Sequence, residues 1–460
     1  MHDLLLTGGR LLDPVNNIEG PADLAMRDGR VSEIGRVTAG ARRTLDVGGR
    51  WILPGIIDTH THLSRHFGSA EGHRMVAQTG VVTALDLAGS VDDLAGALAT
   101  GGAGLNVAFI HPLIPHDTVS SQDPDGQEIE RAADGALAGG AIGLKILGGH
   151  YPLTPDATGR IITAAAARRC YVACHVGSTA TGSDIRGLAE ALGLAAGRRI
   201  HIAHVNSYCR GQITGDPAAE VREALDLLAA HPSAVSESYL SVYNGTSAHC
   251  RDGVPTSNVT KTCLRLGGFE ISARGLEQVI TAGFARIHRV AGGEVVLADP
   301  AAGAAEWRAR ETDAGVSFPV NHIPSAILLA ATRRDGRFVV DGLSTDGGAI
   351  PRNFLVRHGL MLVQMGGWTL RDFAVKACVN PARMLGLPRK GHLSLGADAD
   401  VTVVDLDAGR AVWSFARGRS VLADGQVTGR GGMLLVTPRG EGFARARNIA
   451  HESIHQEGWQ

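Results

Sequence analysis

The sequence predicts an α/β chain: a (β/α)8 barrel of the TIM type, with a small β-sandwich formed jointly by both chain ends. Three observations carry that expectation. The middle of the chain alternates apolar strand-like runs with alanine- and leucine-rich helical segments, the pattern of βαβ units around a parallel sheet. Both ends instead carry short strands separated by glycine-containing turns. The length, 460 residues, suits one large barrel plus a satellite module.

At the N-terminal end, residues 4–7 run into Gly8-Gly9, residues 23–26 into Asp28-Gly29, and residues 30–34 into Gly35. Asp-Gly between such runs is a hairpin signal. The same texture returns after residue 390, in 400–405, 411–414 and 421–422 before Asp424-Gly425. Residues 1–52 and 386–436 are therefore expected to share one discontinuous sandwich. Residues 53–385 form the expected barrel, and 437–460 a polar tail or packing arm. Within the barrel, 81–85, 105–110 and 142–146 read as strands, and 90–99 and 128–138 as helices.

Composition narrows the class of function. Hydrophobic residues make up 44% and charged residues 20%, ordinary for a soluble globular protein. A net charge of −2 argues against a nucleic-acid or anionic-membrane partner, both of which need a basic surface field. The first residues lack the basic and apolar regions of a secretory leader, and no apolar run approaches the roughly 18–20 residues of a membrane span. Six cysteines without a CxxC pair make a disulfide scaffold or a cysteine zinc site unexpected. A reduced cytoplasmic enzyme acting on a small molecule, assembled as a homo-oligomer, is the expectation.

Five features place a metal-binding side chain at the end of an apolar run: His60-Thr61-His62, Lys145, His175, His204 and Asp346. Residues i and i+2 of a strand share a face, so His60 and His62 can chelate one ion. Imidazole and carboxylate suit a borderline divalent ion such as zinc. From Lys145 to His175 is 30 residues and from His175 to His204 is 29, and a barrel spends roughly 30 on each strand–helix unit. Lys145, His175 and His204 thus fall on three consecutive strands at matching heights. His62 to Lys145 is 83 residues, close to three units, which places them on strands 1 and 4. His204 to Asp346 is 142 residues. With Asp346 on strand 8, an insertion of about 80 residues at about 235–320 is implied between strands 6 and 8. Any one of these residues alone has a trivial reading. It is their conjunction at barrel spacing that points to a metal site.

The set resembles the amidohydrolase superfamily, in the branch with a carboxylated lysine that includes dihydroorotase, hydantoinase and N-acyl-amino-acid deacylases. The matching residues are Pro54-Gly55-Ile56-Ile57-Asp58-Thr59-His60-Thr61-His62, Gly80-Val81-Val82-Thr83, Lys145, His175, His204, Asp346 and the stretch from Gly391 to Val401. The resemblance implies two divalent ions, zinc by preference. His60, His62 and Asp346 would hold the more buried ion, His175 and His204 the other, and a carbon dioxide-derived carbamate on Lys145 would bridge them. It further implies hydrolysis of a C–N amide bond, in an N-acyl or N-formyl amino acid or a cyclic amide. A metal-bridging hydroxide would attack, with Asp346 as general base and acid. Ester hydrolysis or deamination on the same site is the alternative, and a non-catalytic scaffold the remotest. Single-metal deaminases of this fold do without the bridging lysine, so Lys145 weighs against deamination.

Substrate contacts are expected from loops at the carboxyl ends of the strands. The candidates are Arg65, His150, Tyr151, Ser178, Asn206, Ser207, Tyr208, Glu237, Tyr239 and Arg352. Either arginine could grip a carboxylate or be structural. Dihydroorotase places an arginine two residues after its second histidine, whereas here position 64 is serine and Arg65 follows, which counts against an orotate-type ring acid. The long segment before Asp346 resembles the inserted lid of D-aminoacylase, but the bridging cysteine of that enzyme is missing. Residues 244–321 resemble the hydrolytic subunit of formylmethanofuran dehydrogenase, a pointer to N-acyl or N-formyl hydrolysis. His201, three residues before His204, should face away and pack in the core, and Cys174 should be a small buried residue.

Overall fold

The structure, a computed structural model, describes residues 1–63, 69–87, 89–456 and 458–459. Eight parallel strands close a barrel: β1 (Ile56–His62), β2 (Val81–Asp86), β3 (Ala103–Leu113), β4 (Gly143–Ile146), β5 (Tyr171–Cys174), β6 (His201–Ile202), β7 (Val235–Ser238) and β8 (Gly342–Leu343). Closure comes just past β8, where Gly347 and Gly348 pair with Thr61 and His62 of β1. Val81–Asp86 is buried along its whole length, as a strand covered on both faces must be. Helices start where the sequence supplies caps. Thr154 accepts the Ala157 N–H before Pro155–Ala167, Asp184 caps Ile185–Ala195, and Asp216 caps Pro217–Ala230. Each cap fixes where a loop leaves the barrel's carboxyl end.

Strands from both ends of the chain interleave in one seven-stranded sheet. Trp51–Pro54 pairs with Val401–Asp405 on one side and with Arg10–Asp13 on the other. A four-stranded sheet containing His2–Thr7 faces it, and Leu4, Leu24, Met26, Ile52, Val403 and Phe415 fill the space between. A buried ion-pair cluster lies where this module meets the barrel. The Lys390 ammonium donates to Asp398 and Asp400 at 2.8 Å each, and Asn106 of β3 also donates to Asp400.

The large insertion opens one strand later than the sequence spacing suggests. Val235–Ser238 is barrel strand β7, and the inserted chain leaves after it. Its four-stranded sheet (Asn244–Ser247, Gly315–Phe318, Arg286–Ala291, Glu294–Leu297) and three helices carry a separate core around Leu276, Ile287, Trp307 and Phe318. The C-terminal segment is woven into the fold. Gly431–Val436 pairs in parallel with β3, and His451–Ser453 pairs with that strand in turn. Trp459 is buried against Tyr171 of β5, ring centroids 4.1 Å apart. Among the described residues no helix is long and apolar enough to cross a membrane.

Candidate metal centre

Each of the six spacing-derived residues sits at the carboxyl end of a barrel strand, and their side chains converge. His60 and His62 project from the end of β1. Their Nε2 atoms lie 3.1 and 3.0 Å from the same oxygen, Asp346 Oδ1, and the three ligand atoms fall within 4.8 Å of one another. His175 follows β5 and His204 follows β6. His175 Nδ1 and His204 Nε2 face each other at 3.0 Å, and the His204 ring stacks on His60 at 5.0 Å. Two glycines permit this crowding. A Cβ on Gly148, after Lys145, would meet the His175 carbonyl oxygen at 1.9 Å, and one on Gly348 would meet the His62 carbonyl oxygen at 2.4 Å. His204 and Asp346 themselves adopt positive φ, 36° and 49°. Strained backbone of this kind persists where the surroundings over-determine it.

Protonation follows from burial. Desolvation pushes His60 below its usual value and His175 and His204 well below, so the rings are neutral. Burial alone would raise the Asp346 carboxyl, but Arg352, then His60, then the hydrogen bond with His62 hold it well below the carboxylate range. Arg352 Nη2 lies 2.5 Å from Asp346 Oδ2, and its Nε donates to the Asp346 carbonyl. The Lys145 amine is buried, has no hydrogen-bond partner among the described residues, and is pushed down to about 8 by desolvation.

These features test whether ions fit. Among the described residues the Lys145 amine and the buried His204 Nδ1 have no hydrogen-bond partner, and two imidazole nitrogens have only each other, so lone pairs that could hold a cation gather here. The set of imidazole, carboxylate and lysine suits divalent ions of the zinc type. The residues present fit a pair of such ions, one near His60, His62 and Asp346 and one near His175 and His204, with Lys145 facing both.

The expected substrate contacts divide. The His150 ring meets His175 edge-on at 4.5 Å and belongs to the centre's rim. Tyr151 is exposed. Ser178 instead spends its hydroxyl on a turn, accepting the N–H groups of Ala180 and Thr181. The Tyr208 hydroxyl turns inward to the Val176 N–H, and Asn206 Oδ1 accepts from Ser238 and the Tyr239 N–H. Arg352 is buried and committed to Asp346, Tyr239 and the Tyr243 carbonyl. Arg65 lies outside the described residues. Cys174 is buried and donates to the His175 carbonyl, with its thiol pushed up to about 12 by burial.

Two residues take roles the sequence reading did not assign. His201 does not face away: its ring enters the barrel below the centre, bonded to Tyr171 at 2.8 Å. Glu237 lines the barrel interior rather than the mouth, bonded to His60 Nδ1 at 2.7 Å. The signal was available, since Glu237 follows His204 by 33 residues, one more unit of the series that located the others.

Residues 320–435 match the amidohydrolase family model. The chain is 27% identical to the dihydroorotase of Anaeromyxobacter dehalogenans over 452 residues, covering 89% of this chain and 90% of that protein. It is 25% identical to the N-acyl-D-glutamate deacylase of Alcaligenes xylosoxydans over 467 residues, 89% of each. In fold it is similar to the N-acyl-D-glutamate deacylase of Bordetella bronchiseptica, solved with zinc and a phosphonate mimic of the tetrahedral intermediate. That similarity has a TM-score of 0.68 at 19% identity, over 94% of this chain and 98% of that one.

Proposed function

We propose that this chain, a member of the amidohydrolase superfamily, is a two-metal hydrolase that cleaves the C–N bond of a small amide. The substrate class is an N-acyl or N-formyl amino acid, or a cyclic amide, and the ions are zinc with a carbamate on Lys145. The convergence of His60, His62 and Asp346 beside the His175–His204 pair and a Lys145 with no hydrogen-bond partner among the described residues carries this reading. The dihydroorotase and deacylase relatives support the bond type.

Bound ions would polarise the scissile carbonyl and make water nucleophilic at neutral pH. The protein's part is to orient and to move protons. Lys145, its pKa pushed down to about 8 by burial, exposes at neutral pH a much larger fraction of the free lone pair that reaction with carbon dioxide requires than an ordinary lysine does. Asp346 is held ionised by Arg352, so its Oδ1 can accept the proton of an attacking water and return it to the leaving nitrogen. The Tyr239 hydroxyl accepts N–H bonds from Asn321 at 2.8 Å and Arg352 at 3.3 Å. Its own hydrogen is left for Ser207 Oγ or for a substrate carbonyl oxygen. Asn321 closes the inserted segment, so the insertion reaches the base through Tyr239 and Arg352.

The test is product analysis by mass spectrometry on zinc- and bicarbonate-loaded protein, with pooled N-acyl and N-formyl amino acids and, separately, cyclic ureides and lactams. Release of a free amino acid supports linear amide hydrolysis, and ring opening supports the cyclic form. Turnover confined to esters would overturn the proposal.

A further inference from the structure

Every atom of the Glu237 carboxylate is engaged, and two of its contacts reach opposite halves of the centre. Oε1 accepts the His60 Nδ1–H at 2.7 Å and the His204 backbone N–H at 2.6 Å. Oε2 accepts from the Ser344 hydroxyl, which follows β8 two residues before Asp346. Glu237 is completely buried, and among the described residues only histidines, no lysine or arginine, lie within ion-pair distance of it. A carboxylate with no lasting cation of its own is costly to bury.

We infer that Glu237 is the positioning residue of the metal centre, one carboxylate that sets the His60 tautomer and clamps the His204 backbone together. This rests on the two-metal reading proposed above. With Nδ1–H donated to Glu237, the lone pair of His60 is confined to Nε2, the atom that faces Asp346 Oδ1 and His62. That orients the ring and raises its basicity as a ligand. The clamp on the His204 N–H holds a residue whose φ of 36° would otherwise relax, and so keeps its Nε2 opposite His175.

Beneath the carboxylate runs a buried polar column. His201 Nε2 lies 3.8 Å from Glu237 Oε1, and His201 Nδ1 bonds the Tyr171 hydroxyl at 2.8 Å. Trp459 closes the column from below, its ring on Tyr171 and its Nε1–H on the Met384 carbonyl at 2.8 Å. The barrel floor is thus built to hold Glu237 in place.

Glu237→Gln keeps the shape and one acceptor oxygen but removes the charge. Ser344→Ala removes only the Oε2 contact. Zn(II) and Co(II) are titrated into the metal-free full-length proteins against a competing chelator, and the visible spectrum of the Co(II) forms is recorded. Glu237→Gln should bind metal about 10–100-fold more weakly with altered Co(II) bands, and Ser344→Ala should shift both readouts in the same direction by less. Wild-type affinity and an unchanged Co(II) spectrum in Glu237→Gln would overturn the inference while leaving the two-metal reading intact. If Glu237→Gln does not fold, unchanged binding and spectrum in Ser344→Ala overturn it instead. A wild-type protein that binds neither metal would sink the underlying reading.

Discussion

Two lysines in this molecule are equally hidden and meet opposite fates. Lys390, between the sandwich and the barrel, is almost fully buried with two carboxylates at 2.8 Å, and Asp400 and Asp398 lift its pKa despite the desolvation. Lys145, at the carboxyl end of the barrel, is similarly buried with no hydrogen-bond partner among the described residues, and desolvation lowers its pKa to about 8. Burial is common to both, so burial cannot be what marks a functional amine. The difference lies in whether the fold supplies the counter-charge. At Lys390 it does, and the result is a structural cation. At Lys145 no carboxylate reaches ion-pair distance among the described residues, and desolvation outweighs the pull of Asp346 and Glu237, so the amine gives up its proton far more readily than a free lysine.

Four experiments break or sharpen that contrast. The largest effect is expected from the same substitution at both sites. Lys145→Met should abolish detectable turnover while leaving the metal-free protein at least as stable as wild type, because it removes a buried amine that has no hydrogen-bond partner among the described residues. Full activity in that variant would refute the role of the amine. Asp346→Asn should retain most of the metal but lose about 10²–10⁴ in turnover as the base disappears, read by steady-state kinetics beside metal analysis.

Lys390→Met should do the reverse of Lys145→Met. It takes the cation from buried Asp400, while Asp398 keeps Arg30 and Arg389, so denaturant unfolding should show a loss of about 3 kcal/mol with activity per folded molecule unchanged.

The smallest effect is a difference in pH slope. The depressed Lys145 pKa means that between about 8 and roughly 10.4 the unfolded chain binds the extra proton. Stability of the metal-free protein should therefore rise with pH across that window, by up to about 3 kcal/mol, and Lys145→Met should erase the rise. The raised Lys390 pKa gives the opposite sign. Its contribution is complete below the unfolded value and is lost as pH climbs through the folded one. Urea titrations of both variants from pH 7 to 11 separate the two slopes.

Much of the centre was legible because a barrel repeats. His60, His62, Lys145, His175 and His204 lie at the ends of barrel strands joined by connections of regular length, so their spacing reports the unit, and Asp346 breaks the series only because the insertion precedes it. Glu237 stood only among the candidate substrate contacts because Val235–Ser238 reads Val-Ser-Glu-Ser, too polar to stand out as a strand beside runs such as Val81–Asp86. Its polar side chains are satisfied across the barrel by His60, Asn206 and the His204 backbone, partners no local pattern reveals. Missing that strand also moved the start of the insertion. The uses of Arg352 and Ser178 were hidden for a similar reason. Both residue types suit a binding loop, and only the fold shows that Asp346 and a backbone turn have already engaged them. The C-terminal segment is mixed in charge, yet it closes the barrel floor through Trp459, one aromatic residue near its end.

The most direct measurement is the zinc content per chain, by plasma mass spectrometry, after metal-free protein is refilled with zinc and bicarbonate and freed of excess metal. We expect two ions per wild-type chain and at most one in Lys145→Met. A wild-type chain that holds fewer than two, or a Lys145→Met chain that still holds both, would contradict a centre built around an unpartnered lysine.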